Sequence, residues 1–397
     1  MINETFCVLP WINLHSHPGG KVYPCSIWKH GLSVGNLNSQ TLDDIANSSN
    51  MNLIRKDMIE GKLITGCHQC NVRSEPRLST SPRTTHRSNY NLQYQNIIPD
   101  IISNTNSDGS LKTKFTMKMM NLRFSNVCNY SCRHCTPTFS SLWGQELKHD
   151  NPVIKITDSN PNYLTNILER LPEVEYINFT GGESILTDEH WIVLDELIRL
   201  GKTDIKIDFW TNLSKLEYKG KNLIEYVKKF NKSKFQIRVS IDDNHERAEH
   251  FRNGTNWNTL EKNLRTLIDN DLTVFIQCVS SATNVWHLTD LHRYLIDNNL
   301  LNNTKWKLTN LVYPEIMSSR ILPVEFKNEI NEKIKSHCEW LKSKKYSIME
   351  WIKVMDYMNS QDQSHLLDQY IEFNNDLDRK RNQNILVAYP ELKKIWK

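Results

Sequence analysis

Cys128-Asn129-Tyr130-Ser131-Cys132-Arg133-His134-Cys135 is the stretch from which the rest of the chain is read. Three cysteines fall within eight residues, spaced by three residues and then by two. Four thiolates close a structural zinc site or fill an ordinary [4Fe-4S] cube. Three thiolates on a four-iron cluster leave one iron open for a ligand that is not protein. On the octapeptide alone, a zinc site or scattered free thiols is the competing account.

Downstream of this loop, strands and helices alternate. Strands are predicted at 115–124, running straight into the loop, and at 174–180, 205–210, 235–241, 273–279 and 306–311. Helices are predicted between them at 139–147, 163–171, 189–200, 222–230, 258–268 and 284–296, the 189–200 segment with apolar residues at Trp191, Leu194, Leu197 and Ile198. Repeated strand–helix units call for a parallel sheet with right-handed crossovers. Six such units make the expected fold α/β, a partial (β/α)6 TIM-like barrel over 115–322. Such barrels gather their active residues at the C-terminal ends of the strands. The cysteine loop, Gly181-Gly182-Glu183, Thr211-Asn212 and Asp242 all stand at predicted strand ends.

Upstream, residues 1–75 hold Cys7, Cys25, Cys67 and Cys70. A strand over 7–14, a turn at Pro18-Gly19-Gly20 and a strand over 21–25 read as a hairpin that brings Cys7 and Cys25 together at its open end. Cys67-His68-Gln69-Cys70 is a C-x2-C knuckle that would complete four ligands, for iron–sulfur or for zinc. His15, His17 and His68 read as surface histidines. Thr41 to Gly61 reads as one helix capped by Thr41. Residues 76–114, rich in Ser, Thr, Asn and Pro, read as a solvated linker carrying Arg77, Arg83 and Arg87. Residues 323–397 read as a C-terminal helical segment.

Taken together, C-x3-C-x2-C with His134 before its last cysteine, and Gly181-Gly182-Glu183 after the second strand, resemble the radical S-adenosylmethionine (radical SAM) enzymes. The resemblance implies a [4Fe-4S] cluster on Cys128, Cys132 and Cys135. It also implies S-adenosyl-L-methionine (SAM) on the open iron, cleaved to a 5'-deoxyadenosyl radical that abstracts hydrogen. By the same resemblance Gly181 and Gly182 let backbone approach the cofactor, and Glu183 meets the SAM ammonium. Thr211, Asn212, Ser240 and Asp242 would complete its pocket, and Arg252 would meet its carboxylate. The order Cys7, Cys25, then Cys67-x2-Cys70 is similar to the front of a SPASM or Twitch module, which carries auxiliary iron–sulfur clusters. It departs from that pattern by preceding the core and by stopping at four cysteines, which fits the shorter Twitch type. Enzymes with such modules often act on peptides or proteins. A sugar or nucleotide substrate is the runner-up, and a zinc-stabilised binding protein on the same scaffold is the rival from another class. The resemblance also implies an external one-electron donor of flavodoxin or ferredoxin type.

Composition narrows the partners. Across 397 residues there are 49 Lys plus Arg against 45 Asp plus Glu, and a net charge of +4 is too slight to argue for nucleic acid. Hydrophobic residues are 39%, but eleven Trp and fourteen Tyr supply large surfaces to bury. No run of apolar residues is long enough for a membrane span, and the first twenty residues lack the pattern of a secretory signal. The expected setting is therefore the cytoplasm, where clustered cysteines more often bind metal than pair as disulfides.

Overall fold

The computed structural model describes residues 3–29, 31–67, 70, 82–301 and 304–396. The chain forms two compact units. One gathers 1–128, 137–210 and 217–235, and the other gathers 129–136, 211–216 and 236–397. The fold is α/β with a mostly parallel sheet, as expected.

In the first unit the main sheet holds β1 (Asn13–Ser16), β2 (Lys21–Tyr23), β3 (Gly35–Asn36), β4 (Met119–Leu122), β5 (Tyr176–Phe179) and β6 (Lys206–Thr211), in the order β3-β2-β1-β4-β5-β6. β1 and β2 form an antiparallel hairpin around the predicted turn at Pro18-Gly19-Gly20, His15 opposite Tyr23. β1 also pairs in parallel with β4, Asn13 opposite Met119, so the N-terminal hairpin extends the sheet of the core. β4, β5 and β6 continue in parallel, with Met119 opposite Tyr176 and Tyr176 opposite Lys206.

Alternation along these strands sorts two faces. Met120, Leu122, Ile177, Phe179, Ile207 and Phe209 are buried on one of them, and the helix Asp188–Arg199 is buried at Trp191, Leu194 and Leu197. Each such side chain contributes on the order of 1.5–3 kcal/mol. The other face carries a row of paired amides. Asn121 donates to Asn13 at 2.8 Å, Asn178 donates to Asn121 at 2.9 Å, and the Trp210 indole donates to Asn178 at 2.7 Å. The row ties four strands together without leaving its buried amides unpaired.

Three expectations are corrected here. The strand predicted over 7–14 is instead a short helix, Leu9–Ile12, followed by β1, because Pro10 sits comfortably in a first helical turn. The helix predicted over 41–61 is two helices, Leu42–Ala46 and Ser49–Ile59. Thr41 and Asp44 make a capping box for the first, and Ser48 caps the second by accepting from the Met51 N–H. The linker predicted over 76–114 is folded where it is described. Pro82–Gln93 and Ile98–Ser103 are helices, and Arg87, Tyr94 and Ile98 are buried. Arg77 lies outside the described residues. His15 and His17 are also buried, not on the surface, with His17 packed on Tyr23 and Phe139. His68 is outside the described residues.

In the second unit β7 (Phe235–Ser240), β8 (Val274–Ser280) and β9 (Thr304–Asn310) run parallel, with Val274 opposite both Ile237 and Thr304. The helices Trp257–Asp269 and Leu288–Asp297 follow β7 and β8 as predicted. The segment after Pro323 is helical as expected, at Val324–Ser343, Met349–Asn359 and Leu367–Arg381. No helix among the described residues is long and apolar enough to cross a membrane.

Candidate metal centres

β4 leads directly to the cysteine loop, and the first unit shows how its base is held. Asn126 is fully buried. Its amide donates to the carbonyls of Pro137 and Pro152 at 2.9 Å and accepts from the Ile154 N–H at 2.8 Å. The Cys128 N–H donates to the Ser141 hydroxyl at 3.2 Å. Gly181-Gly182-Glu183, at the end of β5, lies against this same base. The Gly182 N–H donates to the Ser125 carbonyl at 3.2 Å, and the Glu183 N–H donates to the Val127 carbonyl at 2.7 Å. A Cβ on Gly182 would stand 2.2 Å from the Val127 carbonyl oxygen, so only glycine permits the approach. The Glu183 carboxylate is 2% exposed and accepts from the Ile185 N–H at 3.1 Å, which fixes its direction. Gly182→Ala is therefore expected to cost about 1–3 kcal/mol, the range for overpacking, and to lower the iron retained. Thermal melts with iron assays check this, and a variant that melts and loads like the parent contradicts the close approach.

The loop proper, 129–136, belongs to the second unit. Its backbone runs beside 251–253. The Ser131 N–H donates to the Asn253 carbonyl and the Arg133 N–H donates to the Phe251 carbonyl, both at 2.9 Å. Gly254 has φ +104° and lies where a Cβ would meet the Asn129 carbonyl oxygen at 2.7 Å. Arg133 is fully buried and reaches the far end of the sequence. Its guanidinium donates to Asn374 at 3.0 Å and Gln383 at 2.9 Å, and it pairs with the Asp378 carboxylate. Arg381 adds a 2.8 Å bond to the Ser131 carbonyl. Asn374, Asp378 and Arg381 recur at helical spacing along Leu367–Arg381, and all three meet the loop.

The pocket residues expected from the sequence are also here, but two of them hold each other. Arg252 donates to Asp242 at 2.7 Å, and the other Asp242 oxygen accepts from the Val279 N–H at 2.7 Å. Asp242 is thus the clamp that aims Arg252. Burial works against the Arg252 charge, but Cys132 and Asp242 beside it raise its pKa. Burial raises the Cys132 thiol, with Arg252 opposing. Burial pushes His134 down to about 4, and its ring stacks on Phe251 at 5.0 Å. Asn212 donates to Asn129 at 2.9 Å and so braces the start of the loop, while Thr211 accepts from the Leu213 N–H at 2.9 Å within its own turn. Ser240 ends β7 opposite Gln277.

The four remaining predicted ligands gather in the first unit. Cys7 and Cys67 are each pushed up to about 12, by burial first and then by repulsion from neighbouring thiols. Cys25 is raised well above the ordinary value by burial and by Cys7, Cys67 and Cys70. Among the described residues no group of three or more His, Cys, Asp or Glu is placed to hold a metal ion, in the loop or among these four cysteines. The donor chemistry fits iron–sulfur at both places: three soft thiols in a loop pinned along its backbone, and four more in the first unit, Cys7 buried and Cys25, Cys67 and Cys70 half-buried.

Sequence reasoning missed Arg133 and its partners, and also the inward placing of Arg87, which is buried and donates to the Glu4 carbonyl at 2.6 Å. A charged residue between two ligand cysteines was the available signal for Arg133. For Arg87 it was Ser81-Pro82, a helix-start pair inside a segment read as linker.

Comparison with known proteins matches two stretches of the chain. Residues 122–290 match the model of the radical SAM superfamily, and residues 7–71 match that of SPASM, an iron–sulfur cluster-binding domain. The radical SAM cyclopropyl synthase TigE of Paramaledivibacter caminithermalis is 29% identical over 132 residues. That match covers 30% of this chain and 27% of the relative, so the chain spans about a quarter of the length of the curated relative it matches. Among solved structures, native anSMEcpe with bound AdoMet is 16% identical, with a TM-score of 0.41 over 57% of this chain and 60% of that one. Streptococcus suis SuiB bound to S-adenosylmethionine is 12% identical, with a TM-score of 0.39 over 65% and 54%.

Proposed function

Because residues 122–290 match the radical SAM superfamily and residues 7–71 match an iron–sulfur cluster-binding domain ahead of them, we propose that the chain cleaves SAM reductively and acts on a peptide or protein. Cys128, Cys132 and Cys135 hold the active-site [4Fe-4S] cluster. When bound, that cluster and SAM supply a 5'-deoxyadenosyl radical able to take a hydrogen atom from a substrate.

The chain's own residues place the cofactor. Glu183, with one direction fixed by the Ile185 N–H, offers an anion to the SAM ammonium. Arg252, aimed by Asp242, offers a cation to its carboxylate. Gly181 and Gly182 keep side chains out of the way, and Thr211, Asn212 and Ser240 supply polar groups. Cys7, Cys25, Cys67 and Cys70 fully ligate an auxiliary cluster, which suits it to passing electrons rather than to binding substrate. An external one-electron donor of flavodoxin or ferredoxin type supplies the reducing electron. A peptide or protein substrate follows from the company of the SPASM module.

The observation that carries this reading is the pinned three-cysteine loop with Gly181-Gly182-Glu183 bonded to its base. The test is anaerobic reconstitution with iron and sulfide. The expected product is brown, absorbs near roughly 400 nm and holds about eight irons per chain. With SAM and a reductant it forms 5'-deoxyadenosine. A colourless protein holding only zinc, with SAM left intact, overturns the proposal.

A further inference from the structure

Asn284 lies in the turn between β8 and the helix Leu288–Asp297, and it is fully buried. Its amide nitrogen donates twice, to the Asp242 carbonyl and to the Val279 carbonyl, both at 2.8 Å. Its amide oxygen accepts twice, from the Ser281 N–H and the Ser281 hydroxyl, both at 2.8 Å. A primary amide has two donors and two acceptor positions, so all four are spent. Val279 is thereby held at both of its backbone polar groups. Its carbonyl accepts from Asn284, and its N–H donates to the Asp242 carboxylate at 2.7 Å. The other oxygen of that carboxylate accepts from Arg252 at 2.7 Å. The Arg252 Nε is buried and has no hydrogen-bond partner among the described residues, so the guanidinium keeps donor capacity that its clamp does not use.

We propose that Asn284 is a positioning residue for SAM: acting through Asp242, it fixes the direction in which Arg252 offers its guanidinium to the SAM carboxylate. A carboxylate aims a guanidinium only as well as its own backbone is held. The Asp242 side chain spans from the Val279 N–H to Arg252, so its direction depends on the spacing between the Asp242 and Val279 backbones. Asn284 sets that spacing by bonding the carbonyls of both. Arginine recognises carboxylates through a planar fork, and a small displacement of the fork weakens the match. The same turn is also tied to the helix Leu367–Arg381, where the Thr283 and Tyr370 hydroxyls are 2.9 Å apart. That tie does not touch Asp242, so it separates the stability of the turn from the aim of Arg252. The inference rests on the proposed SAM reading and adds to it a residue that does not itself meet the cofactor.

The test uses the full chain reconstituted with iron and sulfide, with SAM itself as the probe. Equilibrium dialysis without reductant gives the Kd for SAM, and iron content and melting temperature are measured beside it. Asn284→Ala is expected to keep the parent's iron and to weaken SAM binding by about tenfold or more. Asn284→Asp keeps the acceptor for Ser281 but offers no donor to the two carbonyls, and it is expected to weaken binding likewise; it carries the comparison if Asn284→Ala does not fold. Thr283→Val is expected to melt lower than the parent while binding SAM as the parent does. Arg252→Gln supplies the decisive background. Because Asn284 works through Arg252, adding Asn284→Ala to Arg252→Gln is expected to change the Kd by less than about twofold. The proposal is overturned if the folded Asn284 variant binds SAM like the parent, if Thr283→Val weakens binding as much, or if the Asn284 and Arg252 effects multiply. Failure of the SAM reading looks different: the parent itself binds no SAM and forms no 5'-deoxyadenosine under reduction.

Discussion

Cys132→Ala is expected to abolish 5'-deoxyadenosine formation while leaving a folded chain that keeps about four of its roughly eight irons, those of the auxiliary cluster. Cys132 is the most enclosed thiol of the loop, 6% exposed, and it lies beside Arg252. Two thiolates cannot hold a four-iron cluster against chelation and oxidation. The loop itself should survive, because its backbone bonds to Phe251 and Asn253 do not involve sulfur. Iron assay, melting temperature and product chromatography decide the matter together. A Cys132→Ala protein that still cleaves SAM at the parent rate removes the three-cysteine centre from the reaction.

Asp378→Ala is expected to cost about 3–5 kcal/mol of stability, the range for breaking a buried ion pair by removing one partner. Arg133 is wholly buried, and its charge would remain there with only neutral partners. Asp378→Asn, which restores shape and one acceptor, is expected to cost less. Chemical denaturation midpoints measure both, and equal midpoints for Asp378→Ala and the parent contradict the pairing. The group also predicts a pH trend. Burial lowers the pKa of His250, which bonds to Asp378 and Arg133. The unfolded chain takes up that proton near the ordinary histidine value of about 6.5, while the folded chain resists it, so stability falls as pH drops through that value. The Asp378 carboxyl, for which burial is outweighed by His250 and Arg133, is held below its usual range. Its contribution is present above about pH 4 and is lost only at more acid pH.

Much of this architecture is written locally. The cysteine spacing, the glycine pair before Glu183 and the strand–helix alternation each depend on residues within one element, and each stands where it was expected. What escaped reading depends on partners far apart. Nothing in Asn13-Leu14-His15-Ser16 announces that Asn13 faces Met119, because a four-residue strand carries too little periodicity to name its neighbour. Arg133 looks like a solvated charge until Asn374, Asp378 and Gln383 are brought to it. Residues 82–93 look like linker because Ser, Thr and Asn dominate, yet Arg87, Asn91 and Tyr94 share an inward face at helical spacing. Asp242 and Arg252 were each read as free to meet a ligand, and their mutual bond could not be inferred from a separation of ten positions.

The reach from Arg133 to Asn374 and Gln383 spans 241 and 250 positions of chain. A ribosome adding roughly 5–20 residues per second needs about ten seconds or more to cover that distance. Throughout that interval the nascent octapeptide is on hand without its anchor. Iron and sulfide delivered in that interval would meet the loop before the helix bearing Asp378 has fixed Arg133.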